Sequence, residues 1–425
     1  MTTPTTHAAA LRPPRDLTIP EAGSNTAREV LSLAMRRVLA EFRRIPAAIT
    51  PPPDEAADHA AFTALVEHLF TSSPGLVASL LRRPTLGTLV RCLRKTIGSD
   101  REAALRHLRT LRAQLAFELA CLGALPAPVE LRRLPDEVLS LPANLGLRFD
   151  AGMRAVRFGN GRVTFVRDGG DEDWALEAWS VCEGRPAGVS RPYRTITPSL
   201  RLALADNNPL RMFEAHPDKG GNPIDLGGRD PEEWCAVLAQ CLELIGTHLP
   251  EVRREIDLFV HTFVPVGYDA EKHLSASYQE AIGTIYLTLH PNLMTMTEAV
   301  VHEFSHNKLN AFFELDAVLE NAFWPLYASP VRPDPRPLHG VLLAVHAFQP
   351  IARLYERITE AGDPRAKSVD FQRRFAKIRS LNHAGAAVVL GNGRPTAAGR
   401  ALLDEMRRWD EHYGVQELPD ELLEH

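Results

Sequence analysis

The chain has 425 residues, 45% of them hydrophobic and 24% charged, with a formal net charge of −5. That is enough apolar material for a sizeable core in two or three structural units, and the balance gives no reason to expect a general nucleic-acid binder. No apolar run reaches the ~18 residues of a membrane span, and the first 20 residues lack a secretory h-region, so no membrane partner is expected and the cytoplasm is the default compartment. The cysteines Cys92, Cys121, Cys182, Cys235 and Cys241 are odd in number and form no C-x-x-C pair. They read as small hydrophobes and not as a disulfide framework or thiolate metal site.

Residues 1–24 read as a disordered tail. Residues 25–147 read as an N-terminal helical domain, with helical periodicity at 27–45, 60–70 and 101–122 broken by Pro51-Pro52-Pro53 and Pro126-Ala127-Pro128. Between Arg82 and Arg112 nine basic residues face only two acids, Asp100 and Glu102. That surface could dock a peptide leader through Arg91, Arg94 and Arg109, although an Arg-rich solvated face in an Arg-preferring composition is the simpler account.

Composition shifts near 148, where a catalytic domain over 148–425 is taken to begin. Its first part is β-containing: residues 155–168 alternate about Phe158-Gly159-Asn160-Gly161, a hairpin signal, and strands are expected at 174–181, 201–204 and 256–266. Between them lie a turn at Asp206-Asn207-Asn208-Pro209, a turn-rich stretch at 216–223 and a helix at 231–247. A further alternation, Ile285, Leu287 and Leu289, then precedes a helix over 297–310. The fold class is therefore α+β and predominantly helical: an N-terminal helical unit, a β-containing middle and a C-terminal helical unit that binds metal.

The last helix carries His302-Glu303-Phe304-Ser305-His306, an HExxH motif. Histidines four apart lie one turn from each other on one helical face, so both imidazoles can bind one ion with Glu303 beside it. A third protein ligand is needed if open positions are to remain for substrate. Glu314 and Asp316 lie too far along the same helix, while Glu320 follows a break. His339 is the better candidate, because the prolines of 329–337 hold an extended approach and Pro337 can open a helix whose first turn presents His339. His346 shares that face about 10 Å further on and reads first as a core histidine. His216 and His290 are weaker pocket candidates.

The combination of HEFSH, Ser329-Pro-x-Arg332-Pro-Asp-Pro-Arg336-Pro-Leu-His339-Gly340 and Ala347-Phe348 resembles the HExxH-motif peptide-modification proteins found beside genes for ribosomally made, modified peptides. The resemblance spans roughly 195–405 and includes Leu202-Ala-x-x-Asp206-x-Asn208-Pro209 and Pro395-Thr-Ala-Ala-Gly-Arg-Ala-Leu-Leu403. It implies an Fe(II)- and 2-oxoglutarate-dependent peptide β-hydroxylase that uses O2, in a fold other than the double-stranded β-helix. On this reading His302, His306 and His339 hold the iron. The distal carboxylate of 2-oxoglutarate needs a cation, preferably a guanidinium, and Arg336 is favoured over Arg332 because prolines flank it. The competing readings are a zinc metallopeptidase with Glu303 as general base and Zn2+ in place of iron, which Glu320 would complete as ligand, and a non-catalytic peptide-binding protein.

Overall fold

The computed structural model describes residues 14–176, 188–213, 220–330 and 334–414. The fold is α+β and mostly helical, with helices toward both ends and sheets in the middle. It divides into two compact units: residues 35–236 with 260–291, and residues 1–34 with 237–259 and 292–425. The division does not fall at 147/148, because two stretches of the middle chain alternate between units. It runs through the helices α1 (Thr26–Ala48) and α6 (Pro231–His248).

The first unit contains α2 (Ala56–Ser72), α3 (Pro74–Leu81), α4 (Pro84–Thr96) and α5 (Arg101–Leu122). Helix α5 shows why the chain folds this way locally. Asp100 caps it by accepting from Ala103 N, and Gly123 ends it at φ 64°, a left-handed conformation that favours glycine. Leu108, Leu111, Leu115, Phe117 and Leu119 are fully or almost fully buried and join the large core of this unit. Strands begin earlier than the composition shift suggests. β1 (Val129–Leu131) joins β4 (Met153–Gly159), β5 (Arg162–Arg167) and β6 (Glu172–Ala175) in an antiparallel sheet of order β1-β4-β5-β6, with the expected hairpin between β4 and β5. β2 (Glu137–Ser140), β3 (Leu145–Arg148) and β7 (Val189–Ser190) form a second sheet. β8 (Tyr193–Thr195), β9 (Arg201–Ala203), β10 (Thr262–Tyr268), β11 (Ser275–Ala276) and β12 (Thr284–Leu289) form a five-stranded mixed sheet, order β11-β12-β10-β9-β8. All six residues of β12 are buried, as parallel pairing with β10 demands of a strand covered on both faces.

The second unit is built on α7 (Pro250–Phe259), α8 (Leu293–Phe313), α9 (Leu338–Glu360), α10 (Val369–Asn392) and α11 (Ala397–Tyr413), with a two-stranded ribbon of β13 (Leu326–Tyr327) and β14 (Arg336–Pro337). The strand expected over 256–266 is thus half helix: Ile256 and Phe259 lie on α7, whose amphipathic face buries Val252, Ile256 and Phe259. Gly385 of α10 permits a close approach to α9, since a Cβ there would stand 2.5 Å from Val345 Cγ2.

The expected tail is another difference. Leu17, Thr18 and Ile19 are buried, and the amides of Thr18 and Ile19 donate to the Glu405 carboxylate of α11 at 3.0 Å. A polar, proline-rich composition hid two apolar side chains and two backbone donors that a buried acid satisfies. Among the described residues no single helix is long and apolar enough to cross a membrane.

Candidate metal centre

Helix α8 is the axis of its unit. Asn292 caps it, accepting from Met294 N and Thr295 N at 2.8 and 3.1 Å. Most of the helix from Met296 to Phe312 is buried, so its polar side chains turn back on their own helix: Ser305 Oγ donates to Val301 O at 2.7 Å and Asn307 Nδ2 to Glu303 O at 2.9 Å. Lys308 has no exposed surface, and its ammonium donates to Glu255 Oε2 of α7 at 2.7 Å and to Thr18 O at 3.3 Å. A buried cation that finds a carboxylate and a carbonyl is compensated.

The two motif histidines sit on this rigid helix with Nε2 atoms 2.9 Å apart and rings edge to face. With Glu303, also buried, they are the one group of His, Cys, Asp or Glu among the described residues whose ligand atoms all lie within 4.8 Å. Two nitrogens each ~2.1 Å from a common ion stand roughly 3 Å apart, so this donor set fits a first-row divalent metal. Burial pushes the His306 imidazole down to about 4, which keeps it neutral at neutral pH, with one ring nitrogen free to bind a metal.

Helix α9 packs antiparallel against α8, and three contacts fix the register. Tyr355 Oη donates to Glu298 Oε1 at 2.5 Å, the Phe348 ring meets His302 at 4.8 Å between centroids, and His339 meets Phe313 at 4.6 Å. His339 is therefore level with the end of α8, held between Phe313 and Phe323 and tied to Ala322 O through its backbone amide. Burial, and secondarily the charge of His306, lowers its imidazole to about 4. It lies outside the 4.8 Å group. His346, two turns further along α9, has no exposed surface and its imidazole is pushed well down, by burial first and then by Lys308, His306 and His302.

The other candidates separate by place. Glu320 is exposed and its amide donates to Arg394 O. Glu314 caps the C-terminus of α8, and Asp316 accepts from Val318 N and Thr396 Oγ1. Arg336, about one-third exposed, pairs with Asp334 at 2.8 Å, while Arg332, His216 and Cys182 lie outside the described residues. Of the remaining cysteines, Cys92 and Cys241 are buried and Cys121 and Cys235 half-buried, all free.

In the other unit, Asp206 and Asn208 close a polar network of their own. Asn208 Nδ2 donates to Tyr286 Oη at 2.8 Å, and Tyr286 Oη donates to Asp206 Oδ2 at 2.7 Å. His290 meets His273 edge to face. Part of the basic segment is drawn into the fold: Arg91 is 2% exposed, Arg94 binds Glu41 at 3.1 Å, and Arg109 and Arg112 both bind Glu55. Lys95, Arg101 and Arg106 are exposed, so a solvated basic face describes these three and not Arg91, Arg94 and Arg109.

Sequence reasoning missed the Lys308–Glu255 pair and the exposed apolar side chains Phe323, Trp324 and Leu326, which are 70%, 75% and 48% exposed. A lysine two residues after an HExxH motif on an otherwise buried helix was the available signal for the first. No protein-family model matches the chain, and no curated protein does either.

Proposed function

We propose that this chain is a non-heme iron(II)- and 2-oxoglutarate-dependent oxygenase that hydroxylates a side-chain β-carbon of a ribosomally made peptide or a carrier-bound amino acid. The observation that carries metal dependence is the His302–His306 pair, 2.9 Å apart between Nε2 atoms on a buried helix with Glu303 beside it. The choice of oxygenase rests on the motif resemblance, and it is supported by the exposure of Glu320, which removes the carboxylate that a two-histidine peptidase would recruit. Iron(II) with 2-oxoglutarate supplies oxidative decarboxylation of that co-substrate coupled to C–H hydroxylation by O2.

The chain's own residues do the positioning. His302 and His306 hold the ion, Phe348 fixes the plane of His302, and Glu303 orients a bound water or ligand from one residue away. Arg336, whose partner Asp334 is solvent-accessible, would hold the distal carboxylate of 2-oxoglutarate as a bidentate partner. The exposed Phe323, packed on His339, and the exposed Trp324 next to it in sequence suit a peptide better than a small metabolite, because exposed large apolar side chains call for a large partner to cover them.

Glu303 within the cluster also favours a second reading, a zinc hydrolase in which this carboxylate is the general base. Anaerobic loading with Fe(II), then air and 2-oxoglutarate, separates the two. Succinate that requires iron and is lost in His302→Ala supports the oxygenase. Absence of succinate, with peptide cleavage that needs Zn2+ and is abolished in Glu303→Gln, establishes the hydrolase.

A further inference from the structure

Resting on the metal-centre reading above, we propose that the imidazole α9 contributes to the ion is that of His346. The register of the two helices is the first argument. His302 is level with Phe348 and Phe313 with His339, so the α9 position level with His306 falls at about 345. His339 is level with Phe313, seven residues and ~10 Å beyond His306 along α8. By the same register His346 is level with the stretch between His302 and His306.

The second argument is hydrogen bonding. His346 has no exposed surface, and among the described residues neither Nδ1 nor Nε2 has a hydrogen-bond partner. His306 Nδ1 is likewise buried without one. A buried imidazole has one donor and one acceptor that water would otherwise satisfy, and leaving both empty is costly. A buried imidazole with no ligand role is expected to hold at least one such bond, as even the half-buried His59 does, its Nε2 2.8 Å from Pro46 O. An imidazole with two unused nitrogens, packed on an HExxH helix and within electrostatic reach of both motif histidines, is accounted for by an ion that takes one lone pair. His346 lies outside the 4.8 Å group, so it reaches the ion by rotating about its side-chain torsions, toward the motif face of α8.

The test is Co(II) binding to the full chain, followed by visible absorption and by the Tm of the metal-free protein. His302→Ala abolishes binding. His346→Gln and His346→Leu weaken Co(II) at least tenfold and change its absorption bands, whereas His339→Gln weakens it less than His346→Gln does. Metal-free His346→Leu melts at or above the native temperature, by up to ~2 °C, because an apolar side chain replaces an unsatisfied polar one. Should His346→Leu fail to fold, His346→Gln carries the same binding comparison. Binding that falls less than tenfold, or keeps the native spectrum, in His346→Gln overturns the assignment while a loss in His302→Ala leaves the centre standing. Native binding in His302→Ala overturns the metal centre itself, and this assignment with it.

Discussion

Two polar clusters in this chain look alike in sequence and differ in structure. The Arg-rich stretch of α4 and α5 places cations opposite carboxylates: Arg109 and Arg112 close on Glu55, and Arg83 on Glu118. The histidines of α8 and α9 are half-buried at His302, His306 and His339 and fully buried at His346, yet among the described residues His346 has no hydrogen-bond partner on either ring nitrogen and His306 has none on Nδ1. The first cluster is explained by the charge pairs that hold it, although Arg112 Nε has no hydrogen-bond partner among the described residues. Buried ring nitrogens without partners, next to the His302–Glu303–His306 group, ask for something the fold does not supply, and this difference directs attention to α8 and α9.

The comparison breaks most severely at Glu55, whose side chain is fully buried and whose loss strands Arg112, only 2% exposed. Glu55→Ala should cost ~3–5 kcal/mol, because removing one partner leaves an uncompensated buried charge. Urea unfolding reads this directly, and a cost below ~1 kcal/mol would mean that the cluster is idle. His302→Ala should act in the opposite manner. Its stability changes little, since the side chain is only half-buried, but metal affinity falls at least 100-fold, or ~2.7 kcal/mol. Isothermal titration with Co(II) beside the same urea curve checks both halves of that expectation.

Much of this was readable before any coordinates. The motif helix, the hairpin at Phe158–Gly161 and the helical character of both ends follow from local periodicity and turn chemistry, and all three are present. Residues 256–259 failed because an apolar run of that length suits a strand or one face of a short helix, and tertiary packing on α8 decided for the helix. Leu17–Ile19 failed because their partners, Glu405 and Lys308, lie hundreds of residues away. The third ligand is the same problem at closer range. His339 and His346 share a face of α9, and only the antiparallel register with α8 tells which is level with the motif.

A smaller effect sharpens the comparison through pH. Glu405 is buried, and burial pushes its carboxyl up to about 7 against the opposing pull of the Thr18 and Ile19 amides. Its ordinary value is 4.5. Between those values the folded chain holds a proton that the unfolded chain has released, so stability falls as pH rises from about 4.5 to 7 and levels off above. The buried His339, lowered to about 4, slopes the other way over much of the same window: its stability is lost as pH falls below ~6.5. The difference between native protein and Glu405→Gln isolates the carboxyl. It should change by ~1–3 kcal/mol between pH 5 and pH 7.5, and a difference that stays flat with pH would place Glu405 among the ordinary ionised acids.

The smallest effect lies at the edge of the basic segment. Arg106 pairs with Glu102 at 2.7 Å one helical turn away, but the two side chains are 57% and 87% exposed. Water screens such a pair and its ordering entropy offsets most of the attraction, so Arg106→Ala should cost ~0.5 kcal/mol or less, shrinking further in 1 M salt. Set against Glu55→Ala, whose partners Arg109 and Arg112 lie on the same helix α5, it separates the contribution of enclosure from that of charge. If the two substitutions cost the same, burial is not what makes the Glu55 cluster matter, and the contrast with the histidines of α8 and α9 loses its physical basis.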